Sequence, residues 1–204
     1  MSNDASLEVR LIYLHGFNSS PVSNKAQSLN KYVRNELGNL FLRHRLEVLT
    51  PVLPHKPELA IELLEELMAG ADRIALIGSS LGGFYSIYLA EKYQCKAVLI
   101  NPLVTLQAGL ADNFVGKHIN PYTQEEFEIG IQDAEFLSGL ERDEIKNQAN
   151  YFVLVEQEDE VLDYRLALEK FPKARQQILT GGTHRFEKFD DFLPEIIAFT
   201  EPQH

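Results

Sequence analysis

Short apolar runs recur along the chain, and each ends at a glycine, a proline or a polar loop. They occupy residues 9–14, 46–49, 74–77, 97–100, 151–155 and 176–179. Runs of four to six apolar residues bounded by such breakers are typical of strands buried on both faces of a parallel sheet. The pattern therefore predicts six strands, of which 46–49 has the weakest apolar signal.

Longer stretches with helical spacing separate these runs. The predicted helices cover residues 57–68, 80–93, 163–171 and 189–200, and Pro194 requires the last one to kink or to start late. Alternation of strand and helix implies right-handed crossovers. We expect an α/β fold with a mostly parallel, doubly wound sheet and helices on both faces.

One stretch departs from this rhythm. Residues 102–148 contain no clear strand, and 124–150 is acidic with a mostly helical tendency. In open α/β folds, ligands bind at the carboxyl ends of the strands, so an insertion at about 102–150 would lie over that edge. A cap or lid is one interpretation, and a surface excursion without a gating role is the other. The 204 residues otherwise suit a single domain spanning 1–204.

Charge and composition exclude several classes of partner. The formal net charge of −11 disfavours nucleic acid and anionic membranes, because both require clustered Lys and Arg. The polar N-terminus predicts no signal peptide and no run predicts a membrane span, so we expect a cytoplasmic protein. The single cysteine, Cys95, excludes an internal disulfide and suggests a buried or partly buried structural thiol. No motif predicts a metal ion or a cofactor.

The sequence Gly78-Ser79-Ser80-Leu81-Gly82 matches G-x-S-x-G with Ser80 at its centre. In this motif the serine occupies a strained turn between a strand and a helix, and the glycines permit close chain passage. Here a predicted strand precedes the motif and a predicted helix follows it. Ser80 is therefore the candidate nucleophile, although an ordinary turn with serine capping a helix is the alternative.

A nucleophilic serine needs a base, for which His184 is the candidate. It lies in a glycine-containing loop directly after the last predicted strand, where it could reach over the strand ends. The other histidines lack an equivalent position late in the chain. They are His15, His44, His55, His118 and His204.

The histidine in turn needs a carboxylate, and several follow the strand at 151–155. We favour Asp159 over Asp163, since Asp163 is placed to cap the next helix. The resulting order, serine, acid and then histidine, is that of the α/β hydrolases. For the oxyanion hole, the backbone N–H groups of Phe17 and Leu81 are the predicted donors.

Six segments together resemble the bacterial YqiA/YcfP-like (UPF0227) esterase family. The segments are Tyr13-Leu14-His15-Gly16-Phe17-Asn18-Ser19-Ser20-Pro21, Gly78-Ser79-Ser80-Leu81-Gly82-Gly83-Phe84-Tyr85, Asn101-Pro102, Asn120-Pro121-Tyr122-Thr123, Asp159-Glu160-Val161-Leu162-Asp163-Tyr164 and Gly181-Gly182-Thr183-His184-Arg185-Phe186. The resemblance implies a compact cytoplasmic α/β hydrolase for short acyl esters or thioesters. It carries the catalytic serine, aspartate and histidine onto Ser80, Asp159 and His184.

Two positions depart from that family pattern. Gln157-Glu158 stands before the acid where a small or glycine-containing turn is expected. Arg185 follows the histidine and would either bias the pocket towards anionic acyl groups or face solvent, and the second is favoured. His15 is interpreted as a structural residue that braces its loop.

These inferences predict a serine esterase that hydrolyses short-chain acyl esters through an acyl-enzyme intermediate, with no cofactor. The expected partner is a small-molecule acyl ester or thioester. The alternatives are a thioesterase or C–C hydrolase with the same triad, and a hydrolase-fold binding protein without turnover. The pattern predicts neither acyl chain length nor oligomeric state.

Overall fold

The fold is built on a central parallel sheet. The computed structural model describes residues 9–36, 46–106 and 114–200. In sheet order the strands are β2 (Leu46–Leu49), β1 (Val9–Leu14), β3 (Arg73–Ser79), β4 (Lys96–Ile100), β7 (Tyr151–Glu156) and β8 (Arg175–Leu179). All neighbouring pairs are parallel. The six predicted strands and the α/β-hydrolase fold are thereby confirmed.

Helices cover both faces of this sheet. They are α1 (Asn24–Glu36), α2 (Pro57–Met68), α3 (Leu81–Tyr93), α4 (Ile131–Gly139), α5 (Tyr164–Lys170) and α6 (Phe189–Thr200). One core cluster joins α2, α3 and α5 to one face, and a second joins α1 and α6 to the other. Alternate residues of β1 serve the two clusters, because successive side chains of a strand point to opposite faces. This explains why the strands read as continuous apolar runs.

Helix α1 was not among the predicted elements. It contains Ala26, Leu29 and Val33, all buried and spaced three and four residues apart. These are the only apolar residues on a helix that otherwise carries mainly amide, hydroxyl and charged side chains, apart from Tyr32. The narrow apolar stripe still packs against the sheet and α6. Its spacing is the signal by which the helix could have been found.

The region after β4 differs from the prediction. Residues 116–129 form an antiparallel hairpin of β5 (Gly116–Ile119) and β6 (Glu126–Ile129), so the expectation of no strand there was wrong. The mostly helical tendency assigned to 124–150 holds only for α4 and a short turn of 3₁₀ helix at Gln148–Asn150. The hairpin and α4 belong to the predicted insertion. Its role as a cap or lid stays a prediction.

Two helix ends refine the predicted boundaries. Helix α6 begins at Phe189 with Pro194 inside it, so a late start is wrong, and the proline leaves one helical carbonyl without its usual donor. Asp163 precedes α5, and its carboxylate accepts the N–H of Arg165 at 3.0 Å. The capping role predicted for Asp163 is confirmed.

No helix in the described ranges is long and apolar enough to cross a membrane.

Candidate active site

Ser80 occupies the turn between β3 and α3. Its backbone has φ 55° and ψ −120°, a conformation that non-glycine residues rarely adopt and that persists only where the surroundings enforce it. The N–H of Ser80 donates to the carbonyl of Ile100 on the adjacent strand at 3.1 Å, and its carbonyl accepts the N–H of Gly83 at 2.9 Å. Neighbouring backbone thus fixes the strained turn from both sides.

The flanking glycines are needed because the chain passes close to other backbone here. A Cβ atom at Gly82 would overlap the carbonyl oxygen of Leu14 at the end of β1. A Cβ atom at Gly78 would overlap the carbonyl of Gly82 and the hydroxyl of Ser86. The close passage inferred from G-x-S-x-G is therefore confirmed at both glycines.

His184 lies within hydrogen-bonding distance of Ser80. Its Nε2 is 2.9 Å from Ser80 Oγ, and its Nδ1 is 2.8 Å from Asp159 Oδ2 and 3.0 Å from Oδ1. With Nδ1 protonated, the ring donates to the carboxylate and Nε2 accepts from the serine hydroxyl. The structure thus brings together the three residues selected from sequence as nucleophile, base and acid.

The Asp159 carboxylate is enclosed and held by several donors. Its side chain is 2% exposed, and Oδ1 also accepts the N–H groups of Val161 at 2.8 Å and Leu162 at 2.9 Å. Burial raises the pKa of this carboxyl, but the hydrogen bonds from His184, Leu162 and Val161 together outweigh burial and leave the pKa below its ordinary value. The carboxylate is therefore ionised at neutral pH, whereas Asp163 is exposed and paired with Arg165.

The proposed oxyanion donors flank the serine. Gly16 and Phe17 line the same cavity as Ser80, and a Cβ at Gly16 would lie 3.1 Å from that of Ser80. Leu81 is the first residue of α3, so its N–H has no intrahelical acceptor. Within the described segments, neither the Phe17 nor the Leu81 N–H donates to another protein atom. Both N–H groups are therefore available as donors, and their role in an oxyanion hole stays a prediction.

His15 does not reach Ser80. Its side chain is buried, Nε2 accepts the N–H of Leu53 at 3.3 Å, and Nδ1 lies 3.0 Å from the carbonyl of Gly16. Burial lowers the pKa of His15, which keeps the ring neutral at physiological pH. The prediction that His15 braces its loop is confirmed.

Asn101, which the sequence analysis gave no role, connects three parts of the site. It follows β4 with φ 38°, and its Oδ1 accepts the N–H of Glu156 at 2.9 Å. Its Nδ2 donates to the carbonyl of Thr183 at 3.0 Å and approaches that of His184 at 3.4 Å. The side chain thereby ties β7 to the loop that carries the histidine. Its signal was its position, directly after a strand and before Pro102.

Glu156 also holds the loop that carries His184. It is 1% exposed, and its carboxylate accepts the N–H of Thr183 at 2.8 Å. Gly182 has φ 86°, and a Cβ there would overlap the Glu156 carboxyl group. A glycine is thus required at 182 both for the backbone conformation and for space.

A cavity of about 450 Å³ adjoins Ser80 and His184. It is bounded by the loop after β1, the start of α1 and the loop from His184 to Asp190. Across residues 9–36, 46–106 and 114–200, no group of three or more His, Cys, Asp or Glu side chains is arranged to hold a metal ion. Cys95, directly before β4, is partly buried, and burial raises the pKa of its thiol to about 12. The expectation of a partly buried structural thiol is confirmed.

Solved structures with this fold come from several organisms. A provisionally named hydrolase from Agrobacterium vitis S4 superposes with a TM-score of 0.72 at 18% identity, covering 95% of this chain and 88% of that one. Mouse alpha/beta hydrolase domain-containing protein 10 gives 0.67 at 16% identity, covering 93% and 88%. Est1E from Butyrivibrio proteoclasticus, solved with ferulic acid bound, gives 0.59 at 13% identity, covering 97% and 92%. At these identities the similarity establishes the α/β-hydrolase fold.

A family model matches nearly the whole sequence. It covers residues 10–201 and is described as Uncharacterised protein family (UPF0227). The match confirms the resemblance drawn from the six sequence segments. The chain belongs to the UPF0227 family and has the α/β-hydrolase fold.

Proposed function

We propose that this chain is a serine esterase that hydrolyses small acyl esters through an acyl-enzyme intermediate. The observation that carries the proposal is the continuous hydrogen-bond chain from Asp159 through His184 to Ser80 Oγ, at the edge of a 450 Å³ cavity. The chain joins a strained nucleophile, a base and a buried acid, which is what nucleophilic acyl transfer requires.

In the acylation step, Ser80 Oγ attacks the carbonyl carbon of the ester and His184 Nε2 takes the hydroxyl proton. The developing oxyanion accepts hydrogen bonds from the N–H groups of Phe17 and Leu81. His184 then gives its proton to the leaving-group oxygen as the carbon–oxygen bond breaks. Asp159 keeps Nδ1 protonated and stabilises the imidazolium in between.

Deacylation repeats these steps with water. His184 takes a proton from the water, whose oxygen bonds to the acyl carbon, and returns it to Ser80 Oγ as the acid leaves. A thioester would follow the same course with sulfur as the leaving atom. A comparison of kcat/KM for an oxygen ester and its acyl-CoA counterpart separates the two substrate classes.

The first test is labelling by a fluorophosphonate probe, with the modified residue mapped by mass spectrometry. We expect labelling at Ser80 that is lost in His184→Ala. Turnover of para-nitrophenyl acetate should fall about 10⁴-fold in Ser80→Ala. A folded protein that is not labelled, with no Ser80-dependent turnover, would contradict the proposal and favour a binding protein.

Asp163 offers a matched control for the acid. Asp159→Asn removes the acceptor that fixes the histidine tautomer and should lower kcat by about 10³-fold or more. Asp163→Asn removes an exposed cap and ion pair and should change kcat by less than about 2-fold. Equal effects of the two substitutions would contradict the assignment of Asp159.

A further inference from the structure

The cavity beside Ser80 receives the N-terminus of α1. Ser23, Asn24 and Lys25 line it, and the carbonyl of Ser23 accepts the N–H of Gln27 at 3.0 Å, which makes Ser23 the residue that precedes the helix. The first N–H groups of a helix have no intrahelical acceptor and carry its positive dipole end. No acidic residue occupies the first turn of α1. This wall of the cavity therefore favours negative charge.

The buried hydroxyl of Ser23 is a second, independent feature of this side of the cavity. The Ser23 side chain is 7% exposed, and its Oγ makes no hydrogen bond within the described part of the chain. The Tyr13 hydroxyl lies next to it, and the interaction opposes in part the rise that burial causes in the pKa of Tyr13, but the two hydroxyls do not form a hydrogen bond of normal geometry. A buried hydroxyl without a partner is costly, so a ligand oxygen that takes up its hydrogen bond would be favoured.

Two cationic side chains, those of Lys25 and Arg185, line the cavity beside the N-terminus of α1. Lys25 Nζ donates to the carbonyl oxygen of Arg185 at 2.5 Å, and both residues line the cavity. Burial lowers the pKa of the Lys25 ammonium to about 8, Glu156 opposes this shift, and Arg185 adds to it. The ammonium is thus mostly protonated at neutral pH.

Neither cation is neutralised by a contacting carboxylate. Glu187 and Asp190 also line the cavity, yet neither forms an ion pair with Lys25 or Arg185 among the described residues. The Arg185 guanidinium is exposed and makes no hydrogen bond within the same ranges. Because Glu187 and Asp190 line the same cavity, its charged lining is formally neutral, and an anion would be held by direct contact with the two cations rather than by a net positive field.

We propose that the substrate of this site is an anionic ester, whose carboxylate or phosphate group binds Lys25, Arg185 and the N-terminus of α1 while Ser80 attacks the ester carbonyl. The inference rests on the proposed function and specifies its substrate class. An uncharged alkyl chain would instead leave the Lys25 ammonium without a counter-ion and the Ser23 hydroxyl without a partner. Arg185 is exposed, as the favoured solvent-facing interpretation predicted, and the proposal adds a binding role for it at the cavity mouth.

The test compares two esters with acyl chains of equal length, para-nitrophenyl hydrogen adipate and para-nitrophenyl hexanoate. The readout is the ratio of their kcat/KM values, corrected for spontaneous hydrolysis. The ratio cancels any general disturbance of the His184 loop. We expect Lys25→Met and Arg185→Gln each to lower it about 10-fold. Lys31→Met, which removes an exposed lysine of the same helix, should leave the ratio unchanged.

A second pair separates an anion on the acyl group from one on the leaving group. It consists of phenyl acetate with and without a phosphate on the ring. If Lys25→Met loses the preference for the anionic ester in either pair, the inference is supported. The pair that is affected shows whether the anion belongs to the acyl group or to the leaving group. If Ser80-dependent turnover persists but no ratio changes in either variant, the anionic site is overturned while the esterase proposal stands.

If no ester is turned over, the proposed function fails and the anion site is measured by binding. Isothermal titration calorimetry then measures the affinity of adipate and of phenyl phosphate for the wild-type protein and for Lys25→Met. Binding that weakens about 10-fold in the variant supports the site. Absence of Lys25-dependent binding overturns it.

Discussion

The side chain of Asn101 sets the position of the loop that carries His184. It bonds the N–H of Glu156 through Oδ1 and the carbonyl of Thr183 through Nδ2, so an amide is required at this position. Its φ of 38° lies in the left-handed region that asparagine tolerates better than most residues. We regard it as a positioning residue for His184.

The prediction for Asn101 separates geometry from folding. Asn101→Ala leaves two buried backbone groups without partners, so we expect a loss of about 1–3 kcal/mol in the free energy of unfolding. It also frees the His184 loop, so kcat should fall about 10-fold or more while KM changes little. Asn101→Asp keeps the acceptor but not the donor, and should retain the β7 contact yet still lower kcat. Urea denaturation and steady-state kinetics check both effects, and an unchanged kcat in both variants would contradict the positioning role.

Gly82 and Gly139 both lie in helices, and substitutions at the two positions test the close backbone passage at Ser80. A Cβ at Gly82 would overlap the Leu14 carbonyl, whereas one at Gly139 in α4 meets no atom within 4 Å. We expect Gly82→Ala to destabilise the fold by about 3 kcal/mol or more and to abolish probe labelling at Ser80. Gly139→Ala should be neutral or stabilising by about 0.5 kcal/mol. Thermal melts report the difference, and equal melting temperatures would contradict the steric argument.

At the scale of elements, the β5–β6 hairpin packs on the loop that contributes Phe17. The Phe17 ring meets Phe114 and His118 edge-on, each at a centroid distance of 5.0 Å, and Phe127 at 5.9 Å. His55 stacks on Phe127 at 3.6 Å. Such aromatic pairs contribute about 0.5–1.5 kcal/mol each beyond the area they bury. The hairpin therefore restrains the residue whose N–H is the proposed oxyanion donor.

A second contact joins the hairpin to the same loop. Asn120 is buried; its Oδ1 accepts the N–H groups of Tyr122 and Thr123 in the hairpin turn, and its Nδ2 donates to the carbonyl of Ser19 at 3.2 Å. The hydrogen bond thus fixes the hairpin turn to the loop after β1. A cap would be expected to make such a contact, and that role stays a prediction.

Phe127→Ala tests this coupling. We expect kcat to fall about 10-fold because Phe17 loses its restraint, and the denaturation midpoint to fall as well because Phe127 also loses its contacts with His55 and His118. Ile131→Ala, an exposed apolar residue at the start of α4, is the control and should leave kcat unchanged. If Phe127→Ala also left kcat unchanged, the hairpin would have no part in oxyanion binding.

The sequence predicted the main sheet but not the hairpin, for a physical reason. The central strands are buried on both faces and so read as apolar runs, whereas Lys117, Glu126 and Glu128 interrupt β5 and β6. Polar and apolar residues do alternate along β6, but four residues are too few for the alternation to stand out. The aromatic packing on Phe17 depends on contacts distant in sequence and could not be inferred from any single segment.

At the scale of the whole molecule, the parallel sheet gathers the site at one edge. Ser80 follows β3, Asn101 follows β4, Asp159 follows β7 and His184 follows β8, so all four lie at the carboxyl ends of their strands. Position after a strand limited each member of the proposed triad to one loop, and the motif around Ser80 and the capping role of Asp163 then selected among the residues there. The cavity walls could not, because α1 and the loop after His184 meet only in the folded chain.

The net charge of the molecule and the cations at the cavity act on an anionic substrate in opposite directions. An anionic substrate is repelled by the net charge of −11 and attracted by the local cations, of which Lys25 titrates near neutrality with a pKa of about 8. The ammonium is present below that pH and is lost above it. The charged groups around it are Glu156 of β7, Arg185, Glu187 and Asp190.

We therefore expect the kcat/KM ratio of hydrogen adipate to hexanoate esters to fall as the pH rises through about 8, because kcat/KM reports the free enzyme. In Lys25→Met the ratio should be low and flat with pH. The measurement is a pH profile of both esters in wild type and variant. A wild-type ratio that stays constant from about pH 7 to 9 would contradict a charged Lys25 in substrate binding.

Three successive residues fix the chain where it leaves β4. Asn101 is held by its amide, a Cβ at Gly83 would collide with Pro102, and the N–H of Leu103 donates to the carbonyl of Ser80 at 3.1 Å. The insertion therefore starts from a fixed base beside Ser80, and its hairpin reaches back to the loop that carries Phe17. Changes in the insertion that keep the packing on Phe17 can alter the cavity entrance, which Tyr122 lines, without displacing Ser80.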